Sequence, residues 1–144
     1  MLRPEFVERK LQLIVDDLGQ LLAFRDTPYG DLDADPIRLA AVERIVERMV
    51  QRAIDVNEHL ISTLSTGDEA RTTRITYRET FLRLADLGVY DGDFAQGIAR
   101  SAGLRNILVH EYNDIDHRIL HQAIPGALEQ YHAYVNAVRA FLER

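Results

Sequence analysis

The stretch LRNILVHEYND, residues 104–114, places chemically active side chains within an apolar helical run. Arg105, His110 and Tyr112 follow the spacing R-x4-H-x-Y, and Asn106 stands directly after the arginine. Histidine, with a pKa of about 6.5, suits proton transfer near neutral pH. Arginine stays charged and offers a planar fork of donors to phosphate oxygens. These residue types suit proton transfer beside a bound phosphate group.

The spacing sets a geometric condition on such a site. At roughly 100° per residue, Arg105 and His110 stand about 140° apart around an ideal helix, whereas Tyr112 falls on the same flank as Arg105. One straight helix therefore cannot aim the arginine and the histidine at one phosphate. Either the helix is distorted there, or a two-fold dimer brings the arginine of one chain toward the histidine of the other.

A second arginine and histidine show that spacing alone proves little. Arg52 and His59, in RAIDVNEH, fit a looser R-x6-H pattern on an earlier predicted helix. Asp55 stands four residues before His59, so the two face the same way. A structural Asp–His pair is one interpretation of this pattern. The other is that Asp55 lines the cleft as a supporting residue.

Other chemistries find less support in the sequence. His117 and His121 are one helical turn apart, a geometry that can bind zinc, but no third ligand stands at an obvious spacing, and two solvated polar residues are the alternative. With no cysteine, a thiolate metal site is excluded. We predict no metal and no cofactor. Arg71 and Arg74 are interpreted as a solvated loop, with guidance of RNA as the alternative.

Composition limits the class of protein. The 144 residues predict a single domain, 1–144, and 47% hydrophobic with 28% charged residues is typical of a soluble globular chain. Neither a membrane span nor a signal peptide is evident, so we expect a cytoplasmic protein. The net charge of −6 argues against a broad nucleic-acid-binding surface, so that any role with RNA must depend on a local site.

Apolar periodicity predicts an all-α, up-and-down bundle of about five helices. The predicted helices cover about residues 5–24, 36–65, 76–87, a fourth segment that carries the motif, and 116–143, with a loop at 25–35 that has little to bury. Two adjacent apolar stripes mark the second helix, the first formed by Ile37, Ala41, Ile45, Met49, Val56 and Leu60 and the second by Val42, Val46, Val50 and Ile54. This width suggests a core face together with a surface for a partner.

Local signals predict where the later helices begin and end. Thr76 and Glu79 form a capping box, and Gly88 is the expected C-terminal stop of the third helix. Asp93 is the predicted N-cap of the fourth helix, which Asn113-Asp114 should interrupt. Pro125-Gly126 should break or kink the last helix.

The motif R-N-x-L-V-H-x-Y, with TYRETFLRLADLG and AIDVNEHL upstream, resembles the HepT-type toxins of the HEPN superfamily. The likeness runs from about residue 40 to 124. It implies a small all-α homodimer that acts as a metal-independent ribonuclease and is encoded with a minimal nucleotidyltransferase antitoxin.

By position, the resemblance implies catalytic roles for Arg105 and His110, with Asn106 as a supporting polar residue. It makes Tyr112 the tyrosine that the antitoxin modifies with AMP. The expected partners are RNA (a tRNA or an mRNA), the antitoxin and a second copy of the chain, with no membrane. The alternative is a non-catalytic HEPN-like helical dimer that binds a nucleotide or docks on a nucleotidyltransferase.

Overall fold

Six α-helices form the part of the chain that the computed structural model describes, namely residues 1–65, 75–110 and 117–144, with the backbone alone for 107–110. Within these ranges there is no strand, so the predicted all-α class is confirmed. The helices are α1 (Pro4–Leu22), α2 (Tyr29–Asp33), α3 (Pro36–Leu64), α4 (Tyr77–Asp86), α5 (Gly92–His110) and α6 (His117–Leu142).

The long helix α3 lies at the centre of the packing. It contacts α1, α2, α4 and α5, while α1 also contacts α6 and α4 packs along α5. One buried apolar cluster draws side chains from every described helix, among them Leu11, Leu32, Met49, Phe81, Ile98 and Val138. None of the described helices combines the length and the apolar character needed to cross a bilayer.

The two apolar stripes of α3 are covered within the chain itself. Ile45, Met49, Val46 and Val50 are each at most 6% exposed, so members of both stripes lie in the core. Ile37 alone among the apolar stripe residues is largely exposed, at 83%. The predicted core face is therefore confirmed, and the inferred partner surface was wrong for these residues, because α1, α2, α4 and α5 all pack against α3.

Several helix ends follow their local signals. Asp35 caps α3 by accepting hydrogen bonds from the backbone N–H groups of Ile37 (3.1 Å) and Arg38 (3.2 Å). The Thr76 hydroxyl accepts from the Glu79 N–H (3.1 Å) and donates to the Glu79 carboxylate (3.2 Å), which is the predicted capping box. Gly88, just beyond α4, has a φ of 87°, a conformation that favours glycine.

Three local predictions were wrong. Asp91, not Asp93, begins α5, because its carboxylate accepts from the Phe94 N–H at 2.8 Å. The predicted break at Pro125-Gly126 does not occur, because α6 continues through the exposed Pro125 while Ile124 and Ala127 hold this turn against the core, and the alternative of a kink stays a prediction. The loop at 25–35 contains α2, because Leu32 is fully buried. The predicted interruption at 113–114 lies outside the described residues.

A buried ion-pair network ties α1 to α3. Asp17 is 1% exposed and pairs with Arg48, through Nε (3.0 Å) and Nη2 (2.7 Å), and with Arg52, through Nη1 (2.6 Å). Removal of one member of a buried pair leaves a charge without compensation, which is strongly destabilising.

We expect Asp17→Asn to lower the free energy of unfolding by about 3 kcal/mol, the lower end for broken buried pairs, because both arginines keep some contact with water. Urea unfolding followed by circular dichroism measures the change. The neighbouring Asp16→Asn, at an exposed carboxylate bonded only to Gln12 in the described chain, is the matched control and should change it by less than about 0.5 kcal/mol. Equal midpoints for the two variants would contradict the assigned role of Asp17.

Candidate active site

Arg105 lies in the last third of α5 with its side chain half-buried. Its guanidinium carbon is 5.2 Å from the centroid of the Tyr77 ring, at the first turn of α4, which is a cation–π contact. Its Nε is buried and has no hydrogen-bond acceptor among the described residues. In that same part of the chain, no carboxylate comes within ion-pair distance of Arg105. Its positive charge is therefore held in place without being neutralised by a described partner.

The second arginine–histidine pattern, on α3, has structural partners. Arg52 donates to the buried Asp17 and to the carbonyl of Leu13 (3.3 Å). His59 accepts a hydrogen bond from the Arg3 N–H at its Nε2 (3.1 Å) and packs on the Phe6 ring. Burial, followed by the positive charge of Arg3, lowers the pKa of His59, which favours the neutral imidazole. Arg52 is therefore neutralised by a buried carboxylate, whereas no described carboxylate neutralises Arg105.

The structure describes the remaining motif residues only in part. Asn106 is exposed, next to Arg105. The backbone of α5 is α-helical through His110, so the positions of Arg105 and His110 are about 140° apart around the helix axis. Tyr112 lies outside the described residues, as do Arg71 and Arg74.

Asp55 is placed on the side of α3 that faces α1. Its carboxylate is 3.0 Å from Lys10 Nζ and accepts from the Gln51 side-chain amide at 3.0 Å. Neither partner belongs to α5, and Arg105 instead meets α4. The structure does not bring Asp55 into contact with Arg105, and its supporting role stays a prediction.

The two histidines considered for zinc hold another segment in place. His117 Nδ1 is 3.0 Å from the Asp33 carboxylate, and His121 donates from Nε2 to the Thr27 carbonyl at 2.7 Å. Both contacts fasten the segment around α2 to the start of α6. Among the described residues no group of three potential ligands is arranged for a metal ion.

A chain of buried polar groups that the sequence analysis did not predict leads to the backbone carbonyl of Tyr77, whose ring lies under Arg105. Tyr134 donates to the Asn57 side-chain oxygen (2.5 Å), and Asn57 donates to the Thr80 hydroxyl (3.1 Å). Thr80 in turn donates to the carbonyl of Tyr77 (2.6 Å). Each of the three side chains is 0% exposed. An asparagine within the apolar periodicity of α3 was the available signal, because a buried amide requires partners.

A groove of about 650 Å³ runs between α5 and α6 beside the motif. Leu104, the residue before Arg105, lines it together with Arg100, Ser101 and Ile119. Ile119 is 48% exposed, one of four large hydrophobic side chains that are exposed within the described ranges.

Comparison with known proteins places the chain in a family. The profile described as ribonuclease HepT-like matches residues 14–138. A protein named tRNA nuclease HepT, from Aphanizomenon flos-aquae (strain 2012/KM1/D3), is 35% identical over 141 residues, which is 98% of this chain and 92% of the relative.

Solved structures share the fold at lower sequence identity. A tri-AMPylated HEPN toxin of Shewanella oneidensis, in complex with MNT antitoxin, superimposes with a TM-score of 0.79 at 18% identity, covering 94% of this chain and 97% of that chain. A toxin–antitoxin structure with AMP-PNP gives 0.76 at 17% identity, covering 94% and 98%. The resemblance inferred from the motif is thereby confirmed. The chain belongs to the HepT-like ribonuclease family.

Proposed function

We propose that this protein is a toxin ribonuclease that cleaves RNA without a metal, with Arg105 and His110 as catalytic residues and Asn106 as a polar support. The observation that carries the proposal is the Arg105 guanidinium, which rests on an aromatic face while its buried Nε has no acceptor in the described chain. A bound phosphate would supply the negative charge that no described carboxylate gives to Arg105. Family membership supports the reaction class. A tRNA is the first substrate to test, because a relative that matches 98% of the chain is named as a tRNA nuclease.

The proposed reaction is a transesterification followed by hydrolysis. The 2′-oxygen attacks the adjacent phosphorus, its proton passes to a neutral His110, and the bond from phosphorus to the 5′-oxygen breaks. The departing 5′-oxygen takes a proton from the imidazolium that has formed, which restores the neutral His110. Arg105 donates to the oxygens of the phosphorane, where negative charge increases. Water then opens the 2′,3′-cyclic phosphate to a 3′-phosphate.

A metal-independent reaction has a measurable signature. We expect cleavage of tRNA to persist in excess EDTA and to leave 2′,3′-cyclic phosphate or 3′-phosphate ends, because the histidine and the arginine supply proton transfer and charge. End-group analysis of the fragments by mass spectrometry measures this. Strict dependence on an added divalent cation would contradict the mechanism. The His117→Ala variant serves as a control for the zinc alternative and should cleave at the wild-type rate.

We further propose that each site is shared between two chains. Because α5 is regular through His110, helix distortion offers no route that brings this position around to Arg105. A homodimer that brings two copies of α5 together would pair Arg105 with the histidine of the other chain. The exposed Ile119 beside Leu104, at the α5–α6 groove, supports an interface on this side.

Mixed chains test the shared site quantitatively. Light scattering should give about 33 kDa, twice the 16.5 kDa of one chain. An equal mixture of Arg105→Ala and His110→Ala chains, exchanged under mild denaturation, should recover about a quarter of wild-type activity. Half of random dimers are mixed, and each mixed dimer keeps one of its two sites. A mixture as inactive as its components, with exchange shown by mass, would mean that each site lies within one chain.

We propose that a nucleotidyltransferase antitoxin neutralises the protein by transferring AMP to Tyr112. Three of the six tyrosines are poor acceptors in the folded chain. Tyr131 and Tyr134 are fully buried, and the Tyr90 hydroxyl donates to the Phe81 carbonyl at 2.8 Å. Burial raises the pKa of all three phenols, which opposes formation of the attacking phenolate. The tri-AMPylated state of the Shewanella oneidensis toxin supports this mode of control.

A further inference from the structure

We propose that Tyr77 is a positioning residue for Arg105, and that the first turn of α4 sets where the catalytic guanidinium stands. The inference rests on the proposed function of Arg105 and assigns it a partner from another helix. It begins from the 5.2 Å separation between the guanidinium carbon and the centroid of the Tyr77 ring.

An aromatic face holds an arginine differently from a carboxylate. The ring attracts the cation through its quadrupole and leaves the in-plane N–H donors unused. A carboxylate would occupy those donors and neutralise the charge, as Asp17 does for Arg52 at 2.6 Å. Arg105 thus keeps its charge and its two terminal amino groups for a phosphate, while its long side chain loses freedom before the substrate arrives.

The ring itself is held by the interior of the bundle. Tyr77 is the first residue of α4, directly after the capping Thr76, and it packs against the core. Its carbonyl accepts from the buried Thr80, which is bonded to Asn57 of α3, and Asn57 is bonded to Tyr134 of α6. Three helices therefore determine the position of this turn relative to α5. The same chain of hydrogen bonds explains why Asn57 is buried, because this side chain fixes α4 in addition to filling the core.

Two substitutions at Tyr77 separate the aromatic face from simple packing. Tyr77→Phe keeps the face, and we expect its kcat for tRNA cleavage to stay within about twofold of wild type. Tyr77→Leu keeps apolar bulk but removes the quadrupole. Its kcat should fall about 3- to 30-fold, with a smaller change in KM, because Arg105 matters most where charge develops. Thermal midpoints of the two variants should agree within a few degrees.

The chain offers a matched control for the loss of a cation–π contact. The Arg118 guanidinium carbon is 5.3 Å from the centroid of the Tyr29 ring, on α2. Tyr29→Leu removes the same kind of contact at a place that touches α6 rather than Arg105. We expect this variant to cleave tRNA at the wild-type rate.

A double-mutant cycle decides whether Tyr77 acts through Arg105. In an Arg105→Ala background, adding Tyr77→Leu should lower the residual rate by less than about twofold, because the group that Tyr77 positions is gone. A further several-fold loss in that background would overturn the proposal, and so would a wild-type kcat for Tyr77→Leu in the presence of Arg105. If Arg105→Ala alone cleaves like wild type, the proposed function itself fails, which is a distinct result.

Discussion

Substitution of His110 by alanine is expected to lower the rate of tRNA cleavage by about 10²–10⁴-fold, the usual cost of removing a general acid or base. The reason is that the site would lose the imidazole, which accepts the proton of the 2′-OH and donates a proton to the departing 5′-oxygen. The measurement is single-turnover cleavage of a labelled tRNA, together with growth and RNA integrity after induced expression of wild type and variant.

The control for His110→Ala is another histidine on the surface. His132 is exposed on α6, and its ring is 3.4 Å from the Asn136 side chain. His132→Ala should cleave at the wild-type rate and show the same toxicity. If His110→Ala retains activity within about threefold of wild type, the histidine is not the proton carrier, and the non-catalytic alternative gains support.

The second large effect concerns neutralisation. After co-expression with the cognate nucleotidyltransferase and ATP, wild-type protein should carry one or more AMP units on Tyr112, and Tyr112→Phe should carry none. A phosphodiester on Tyr112, which the helical spacing predicts on the flank of Arg105, would compete for the cation that the RNA phosphate requires. Modified wild-type protein should therefore lose cleavage without unfolding. Intact-mass spectrometry followed by peptide mapping measures the adducts.

The other tyrosines provide the internal control for this experiment. Tyr131 and Tyr134 are fully buried and hydrogen-bonded, and we expect both to stay unmodified. The variant Tyr112→Phe should keep the thermal midpoint of wild type and escape neutralisation by modification. Adducts confined to other tyrosines, or none after co-expression, would show that the assignment of Tyr112 is wrong.

The two apolar stripes of α3 show how much of the fold the apolar periodicity could predict. The pattern correctly predicted a long helix with a wide apolar face, because side chains three and four residues apart share a face wherever the helix lies. It could not tell which neighbours cover that face. Four helices of the same chain do so, whereas part of the face had been inferred to be a surface for a partner.

Some helix ends could be predicted from the local sequence, and others depend on tertiary packing. The capping box at Thr76 and the stop at Gly88 depend on hydrogen bonds and backbone angles within a few residues, so they could be predicted from the chain locally. Pro125 could not, because the burial of Ile124 and Ala127 holds α6 together where local propensity alone predicts a break.

By itself the sequence determined the all-α class and the family, and it supplied the candidate site residues, since each depends on a local pattern. Which arginine is neutralised by a carboxylate was decided only by the tertiary structure. Arg52 and Arg105 each precede a histidine on a helix, yet Arg52 meets Asp17, 35 residues away, and Arg105 meets the ring of Tyr77. The difference arises because a charge is neutralised by whatever group the fold brings within a few ångströms, and spacing along one helix carries no information about that group.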